Sequence, residues 1–382
     1  MNKKRFTPAR SRETKNTISK YEKIPKFCIA FLILAALCAI IYTIACLSPK
    51  FADFFNIYIA AIFRWLLALI PNIIPISLAE ILIILLPVIL ILVIVLLIKY
   101  RCKSFKASLV STLCVISVAS LIFSSFTLTL ATGYRGSTLD KKLGIERKDL
   151  NTEELYDSAI YLGESISALA KEISYGEDGF SKMPYGLGEL NKKLLEAYRI
   201  FAKEHYFIST FSSRVKPVML SELMSYTHIT GVYTFFTGEA NLNVNFPDYT
   251  LPFTAAHELA HQRGISREDE ANMTSFLVCL ESDDTYIRYS AQLNVYEYIL
   301  SALKKADREL YLDAWSRLDK NVKGEITAYS TFFNKYRDSN AGKVSGNINN
   351  SYLKSQGTVG TRSYGMVVDL TVAYLKNEEK IK

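Results

Sequence analysis

Long runs of apolar residues dominate the first third of the chain. Three of them, at residues 27–47, 81–98 and 107–131, contain no charged side chain. Each is close to or above the roughly 18 to 20 residues that cross a bilayer as an α-helix. A buried helix of a globular domain rarely stays apolar on every face over such a length. We therefore predict three membrane-spanning helices in a membrane domain that covers residues 27–132.

A fourth apolar stretch, residues 51–70, has a different pattern. It is rich in aromatic residues, but it carries Asp53, Arg64 and Trp65, and two prolines follow it. Charged side chains and a tryptophan are typical of a helix that lies in the membrane interface. This pattern favours an interfacial or re-entrant helix over a fourth span.

Lysine and arginine are concentrated in two segments. Residues 1–26 hold nine of them, and the loop at residues 99–106 holds four. The positive-inside bias assigns both segments to the cytoplasm. With three spans, residues 133–382 then form an extracytoplasmic domain at the outer face of the cytoplasmic membrane. The first span follows a long basic leader and exceeds the apolar core of a cleaved signal peptide, so we expect it to be retained as an anchor.

The net charge of +8 comes from the lysines and arginines of these same two segments. The leader contributes +7 and the second loop +4, so the rest of the chain carries −3. Nucleic-acid binding therefore has no support, and the leader is expected to lie against anionic membrane lipid. The charge pattern gives no information on the oligomeric state.

The C-terminal domain is predicted to be mainly α. Apolar positions recur at helical spacing in four segments, residues 151–173, 188–207, 286–305 and 308–333. Cys279 is the only cysteine of this domain, so an intradomain disulfide is excluded. The domain must be held together by its apolar core.

The sequence His-Glu-Leu-Ala-His at residues 257–261 contains the side chains best suited to bind a metal ion and transfer a proton. Histidines four residues apart share one helix face and can hold one metal ion. The glutamate between them can accept a proton from water that the metal activates. Pro252 and Gly264 are suited to the first turn and the end of this helix. The pattern predicts a Zn²⁺ site with His257 and His261 as ligands and Glu258 as general base.

A catalytic zinc usually has a third protein ligand. Glu268, Asp269 and Glu270 open the next predicted helix. We favour Glu268 because Ala271 and Asn272 then share its face and leave room for the ligands. Glu270 is the alternative. Acidic residues also stabilise a helix N-terminus without any metal.

A β-hairpin is predicted just before the metal helix. Residues 231–236 and 240–246 have strand-like patterns, and Thr237-Gly238 joins them. In the second segment, apolar residues alternate with asparagines, which predicts one buried face and one amide-rich exposed face. We hypothesise that the hairpin binds an extended peptide by adding a strand. The alternating residues are Ala240, Leu242, Val244 and Phe246 against Asn241, Asn243 and Asn245.

These motifs resemble a known family of bacterial membrane proteins, the domain of unknown function 3810 family. The resemblance rests on residues 257–264 and 267–272, and on the segments at 216–220, 236–241, 363–365 and 368–370. It implies a zincin-like zinc peptidase domain behind membrane helices. The Glu-x-x-Ala-Asn pattern that begins at Glu268 also resembles the ligand motif of gluzincins, although its spacing from His261 is short for that group.

Peptide hydrolysis also requires a hydrogen-bond donor that stabilises the oxyanion of the tetrahedral intermediate. Tyr364, within the family-like Ser-Tyr-Gly segment, is our first candidate, with Tyr226, His228 and Arg263 as alternatives. Together these residues predict a membrane-anchored zinc metallopeptidase that cleaves peptides or envelope proteins at the outer membrane face.

Two other functions fit the same pattern. One is a non-catalytic membrane scaffold that contains structural zinc, although such a site does not need Glu258. The other is a zinc amidase that acts on cell-wall material. Iron, cobalt and manganese also accept two imidazoles and a carboxylate.

Overall fold

A computed structural model describes residues 23–101 and 104–381. The basic leader predicted at residues 1–26 lies outside the described residues as far as residue 22. The described chain is mainly helical with a few short strands, as predicted.

Apolar helices form the N-terminal part. They are α1 (Lys26–Leu47), α2 (Pro49–Phe54), α3 (Ala60–Ile73), α4 (Leu78–Arg101) and α5 (Phe105–Thr129), and a π-helix (Phe55–Ile59) joins α2 to α3. The predicted spans at residues 27–47 and 81–98 fall within α1 and α4, and the third, at residues 107–131, ends two residues beyond α5. Four stretches of the described chain are long and apolar enough to cross a membrane, namely Lys26–Leu47, Pro49–Leu69, Leu78–Lys99 and Phe105–Thr129. The number of spans therefore stays a prediction.

Helices α1 and α5 run in the same direction. The Sγ atoms of Cys28 and Cys114 lie 3.2 Å apart, and further along both helices the Cys38 Sγ lies 3.9 Å from the Ser124 carbonyl oxygen. Helix α4 packs beside α5, and three residues separate its end from the start of α5, so it runs the opposite way.

One end of each of these three helices contacts the C-terminal domain. Near the end of α1, the Tyr42 hydroxyl accepts a hydrogen bond from Arg135 at 2.6 Å. The N–H groups of the first two residues of α4 donate to the Glu239 carboxylate at 2.9 and 2.8 Å. Near the end of α5, the Ser125 hydroxyl donates to the Phe235 carbonyl at 3.0 Å.

The stretch from α2 to α3 contacts the domain at both ends. At its start, Asp53 accepts a hydrogen bond from the Ser137 N–H and pairs with Lys142 at 3.2 Å. Near its end, Leu67 lies against Gly238, in the turn between two strands. The helix predicted at residues 51–70 therefore lies along the domain over most of its length.

The helices of the C-terminal domain enclose one apolar core. Helices α10, α11 and α12 lie at its centre, and α10 is buried on every face. The order is α6 (Leu139–Leu143), α7 (Thr152–Leu169), α8 (Leu187–Glu204), α9 (Ser221–Ser225), α10 (Thr250–Gln262), α11 (Glu268–Leu280), α12 (Thr285–Ala306), α13 (Arg308–Arg317), α14 (Lys320–Asn334), α15 (Asn340–Ser355) and α16 (Val367–Asn377). The segment 308–333, predicted as one helix, is two helices, because Asp319 caps a new N-terminus at α14.

A three-stranded sheet covers α10. Its strands are β1 (Val215–Pro217), β2 (Gly231–Thr234) and β3 (Glu239–Leu242), in the order β1-β3-β2. Strands β2 and β3 form the predicted antiparallel hairpin, and β1 adds a parallel strand that the sequence pattern did not indicate. Strand β2 is therefore an edge strand.

The predicted amide-rich exposed face is wrong. Asn241 and Asn243 are buried, as is every residue of β3. The Asn243 amide donates to the Ser225 hydroxyl and to the Ile229 carbonyl, both at 3.0 Å. Alternation of apolar and polar residues indicates a solvated face only when the polar groups have no internal partners.

Candidate metal site

Helices α10 and α11 form a helical hairpin that turns at Gly264. Its φ is +100°, and a Cβ at this position would lie 2.6 Å from the Arg64 Nη2. Only glycine suits both this backbone conformation and the available space. Because the turn is short, Glu268, the first residue of α11, comes back beside His261 in α10.

Three buried side chains meet between the two helices. The Nε2 atoms of His257 and His261 lie 3.0 Å apart. The Glu268 Oε2 lies 3.2 Å from the first and 3.3 Å from the second. The three ligand-type atoms thus form a nearly equilateral triangle, and they belong to the three residues proposed from the sequence as metal ligands.

A backbone contact orients one of the two imidazoles. The His261 Nδ1 lies 2.7 Å from the Ile265 carbonyl oxygen, so it carries the proton there, and the Nε2 lone pair points into the triangle. The His257 Nδ1 is buried and has no partner among the described residues. Within the described chain, this hydrogen bond to Nδ1 therefore fixes the tautomer of His261, and no equivalent bond fixes that of His257.

The charges in the triangle are strongly coupled. Burial lowers the pKa of His261, but the carboxylates of Glu268 and Glu258 outweigh burial and raise it to about 9. Burial likewise acts to raise the pKa of Glu268, yet the two imidazoles hold it well below its usual range. Both shifts show that the centre of the cluster favours positive charge.

Glu258 lies between the triangle and the edge strand β2. A Cβ at Gly231 would lie 2.6 Å from its Oε1, so the strand approaches the carboxylate because Gly231 has no side chain. Burial raises the pKa of Glu258, and the two histidines and the Tyr233 N–H offset only part of this effect. An acid with a raised pKa beside a metal site is suited to accept and return a proton.

The two acidic neighbours of Glu268 have other partners. Glu270, the alternative ligand, accepts hydrogen bonds from Arg267 at 2.8 Å and from the Leu139 N–H at 3.1 Å. Asp269 pairs with Arg147 at 3.0 Å. Successive residues of a helix point in different directions, and only Glu268 of these three points at the histidines.

Tyr364 lies beside the triangle. Its ring is nearly parallel to that of His257, with the centroids 6.5 Å apart. The Asn349 amide donates to its hydroxyl at 3.3 Å, and the Asn272 amide donates to its carbonyl at 3.2 Å. Burial, with the charge of Glu268 next, raises the pKa of Tyr364 well above its usual range. It is therefore a neutral hydrogen-bond donor at neutral pH.

Two further tyrosines lie near the triangle, and no sequence pattern pointed to them. The hydroxyls of Tyr134 and Tyr352 lie 3.3 Å apart. Burial raises the pKa of both phenols, that of Tyr352 to about 12, and the Glu268 charge adds to each shift. They are far from the metal motif in sequence, and the chain has 24 tyrosines, so no local signal distinguishes them.

The other oxyanion candidates lie elsewhere. Arg263 is buried over the Tyr198 ring, with its guanidinium carbon 4.3 Å from the ring centroid. The His228 Nε2 lies 2.7 Å from the Tyr336 carbonyl oxygen. Tyr226 packs edge-on against the Tyr336 ring. All three have structural partners away from the histidines.

The membrane helices hold the turn between α10 and α11. The Asn56 amide, in the π-helix, donates to the Gly264 carbonyl at 2.8 Å. Arg64 is fully buried and donates to the Asn56 Oδ1, to its carbonyl oxygen and to the Thr129 carbonyl at the end of α5. Isolated turns of π-helix are frequent at functional sites. The charge at Arg64, which suggested an interfacial helix, is therefore part of the support for the metal site.

Comparison with known proteins identifies a family but no characterised relative. A family model described as "Protein of unknown function (DUF3810)" matches residues 51–372. No curated protein and no solved structure matches the chain. The matched region includes the π-helix, both helices of the candidate metal site and Tyr364.

Proposed function

For a chain that belongs to the DUF3810 family, whose description states no function, we propose a membrane-anchored zinc-dependent peptidase. The observation that carries this proposal is the buried triangle of His257, His261 and Glu268, with Glu258 beside it. Two imidazole lone pairs and a carboxylate that face one another repel unless a proton or a cation lies between them. A zinc ion would satisfy all three groups at once.

The dimensions of the triangle fit zinc. Ligands at about 2.0–2.1 Å from a tetrahedral ion stand about 3.3 Å from one another. The three separations here are 3.0, 3.2 and 3.3 Å. Three protein ligands leave a fourth position free, which is the arrangement of catalytic rather than structural zinc. The residues present therefore fit the ion that the motif implies.

Each neighbouring group then has a task. Zinc held there would supply Lewis-acid activation of water and of the scissile carbonyl. Glu258 accepts the proton of the attacking water and returns it to the leaving amine. Tyr364 donates a hydrogen bond to the developing oxyanion.

The free edge of β2 can hold the substrate backbone. The Thr230 carbonyl accepts a hydrogen bond from Asn243, on the β3 side. Orientation alternates along a strand, so Gly231 directs its N–H and C=O groups, and Tyr233 its C=O group, towards the free edge, while the Tyr233 N–H already donates to Glu258. An extended peptide that pairs there runs past Glu258. This keeps the predicted strand addition but assigns it to backbone groups of β2 instead of the asparagines of β3.

The same contacts favour three spans. The stretch from α2 to α3 contacts the C-terminal domain at both Asp53 and Leu67, so it begins and ends on one side of the bilayer. Helices α1, α4 and α5 each have one end on that side. Lys99 and Lys106 lie at the opposite ends of α4 and α5, and the positive-inside bias then supports the proposal that the domain lies outside the cytoplasm.

Metal analysis of the full-length protein tests the proposal. We expect one zinc per chain in the wild type and in Glu258→Gln and Glu270→Gln, and loss of zinc in His261→Ala and Glu268→Ala. Glu258→Gln should lower peptide hydrolysis by about 10²–10⁴-fold. Folded wild-type protein without bound metal would contradict the proposal. Casein peptides and muropeptides, assayed side by side, distinguish a peptidase from a cell-wall amidase.

A further inference from the structure

We propose that the substrates are polypeptides anchored in the same membrane, and that they are cut a few residues from the point where they leave the bilayer. This inference rests on the proposed peptidase function. It adds the class of substrate, which neither the motif nor the family description contains.

The direction of β2 is the first observation. From Gly231, beside Glu258, the strand runs towards the membrane helices. The carbonyl of Phe235, just after the strand, accepts a hydrogen bond from Ser125 of α5, and the Phe235 ring lies 5.1 Å from the Phe126 ring. A peptide paired with the free edge of β2 therefore has one end at the metal site and the other at the membrane end of α5.

The distance along the strand is short. Residues 231 and 235 are four positions apart, which corresponds to about 13 Å of extended chain at about 3.3 Å per residue. Helix α5 has 25 residues and a length of about 37 Å at about 1.5 Å per residue, which exceeds the apolar core of a bilayer. Its last turns, with Ser125 and Phe126, therefore lie at the membrane interface.

Exposed apolar side chains are the second observation. Val232 in β2 and Phe236 after it are 37% and 39% exposed. Leu67, against the hairpin turn, belongs to α3, whose neighbouring apolar side chains Leu66 and Leu69 are also exposed. Single exposed apolar residues are ordinary, but a contiguous set beside membrane helices marks a surface that meets lipid or an apolar ligand.

The far end of the sheet also carries exposed apolar side chains next to a membrane helix. Glu80, in the first turn of α4, accepts hydrogen bonds from the N–H groups of Met219 and Leu220 at 2.9 and 2.8 Å. Met219, Leu220 and nearby Leu223 are all exposed. The rim of the domain that carries the sheet is thus apolar next to both α4 and α5, and it lies at the bilayer surface.

A partly buried cluster of aromatic side chains lies between this rim and the proposed metal site. The Phe126 ring contacts the Tyr352 ring at 6.1 Å, and Tyr352 contacts Tyr134 at 6.3 Å. Both tyrosines lie near enough to Glu268 for its charge to affect their pKa. A substrate segment that emerges from the membrane beside α5 lies next to apolar and aromatic groups between the bilayer and the site. A soluble peptide does not contact the rim of the domain in this way and gains no binding free energy from it.

The experiment uses the full-length protein in lipid nanodiscs. One unstructured peptide is presented in two forms: fused to a transmembrane helix through linkers of 3, 6, 12 and 24 residues, or free in solution. We expect at least tenfold faster cleavage of the anchored forms, with cut sites grouped about three to six residues from the membrane segment. Equal rates for both forms, or cut sites that ignore the anchor, would overturn the proposal.

A binding measurement separates this inference from catalysis. A photo-crosslinking residue at position 232 in the Glu258→Gln background should crosslink the anchored peptide more than the free one, whereas the same group at Leu312, 50% exposed in α13, should crosslink neither. Zinc-loaded protein that neither crosslinks nor cleaves the anchored peptide overturns the inference. Protein that binds no zinc overturns the peptidase function itself.

A pair of matched variants examines the rim directly. Phe236→Ser should raise KM about threefold to tenfold for the anchored substrate and leave KM for the free peptide unchanged. Leu312→Ser, at a similarly exposed position far from the sheet, should change neither value. An equal effect of Phe236→Ser on both substrates would show that Phe236 supports the fold and does not contact an anchored substrate.

Discussion

Glu268 and Glu270 lie two positions apart in one helix and have different environments. Glu268 points at the two histidines, whereas Glu270 is held by Arg267 and by the backbone of Leu139. Helical geometry explains the difference, because residues two apart lie on opposite faces. The sequence justified a preference for Glu268 but left Glu270 open, since both acids also suit a helix N-terminus.

The phenol of Tyr364 is expected to act in catalysis and not in metal binding. Tyr364→Phe removes the hydroxyl and keeps the ring beside His257, so zinc content should not change. Loss of one oxyanion donor should lower kcat by about 100-fold. Steady-state kinetics with metal analysis measures both quantities. Tyr226→Phe, at a phenol that packs on Tyr336 instead, should leave kcat as in the wild type; an equal loss there would remove the assigned role.

Asn56 is expected to position a zinc ligand from the membrane domain. Its amide holds the Gly264 carbonyl, next to Ile265, whose carbonyl orients His261. Asn56→Ala should weaken zinc affinity about tenfold, as measured by chelator competition on the full-length protein.

The control for Asn56→Ala is Asn191→Ala, which removes side-chain hydrogen bonds to Leu187 and Val215 away from the site. This variant should lower thermal stability without changing zinc affinity. If both variants change only stability, the π-helix has no positioning function.

At the scale of elements, the asparagines of β3 show where a sequence pattern misleads. A period of two predicted the strand, and the strand exists. The same period predicted a solvated face, which is absent because Asn243 bonds to Ser225 in α9 and Asn241 bonds within the hairpin, to Val232 and Thr234. The pairing of β1 joins residues 215–217 to residues 240–242, and no local pattern reveals a contact at that separation.

Asn243 is therefore expected to stabilise the fold and not to bind substrate. Asn243→Val leaves the Ile229 carbonyl and the Asn245 N–H without their side-chain partner. Buried groups left unpaired in this way cost about 1–3 kcal/mol, so the free energy of unfolding should fall by about 2 kcal/mol in thermal or denaturant unfolding. Asn347→Val, at an exposed position in α15, should have little effect. Full stability of Asn243→Val with weakened peptide binding would favour the original substrate-binding hypothesis.

For the whole molecule, the membrane helices and the C-terminal domain form one structural unit. Lys216 and Glu239 form a buried ion pair at 2.6 Å, and both also bond to the segment that leads into α4. Asn56 and Arg64 hold the metal-site turn from the other side. Buried polar groups at such an interface need their partners, so removal of the membrane helices exposes groups that were fully paired.

A fragment of residues 133–382 should therefore not behave as an independent domain. We expect a lower and less cooperative thermal transition and loss of most bound zinc compared with the full-length protein, as measured by circular dichroism and metal analysis. Co-expression of residues 1–132 as a separate chain should restore zinc binding in part. A fragment that folds cooperatively and binds one zinc would show that the two parts are separable.

The sequence predicted the parts of this molecule better than their assembly. Apolar length predicted the N-terminal apolar helices, and the pattern around the two histidines predicted the helix α10, because both signals lie within one element. Arg64, Asn56, Tyr134 and Tyr352 were not predicted as supports of the site, because their partners are distant in sequence. The charged residues at positions 53 and 64 indicated an unusual helix, but their partners became evident only from the fold.

If the proposed topology and zinc site are correct, the attachments of the sheet to α4 and α5 fix the height of that site above the bilayer. An enzyme built in this way acts as a molecular ruler. It selects a bond by its distance from the lipid surface, and it needs few side-chain pockets to do so. Its preference would then follow bilayer thickness and the tilt of the substrate anchor, and unrelated sequences would be cut at the same depth.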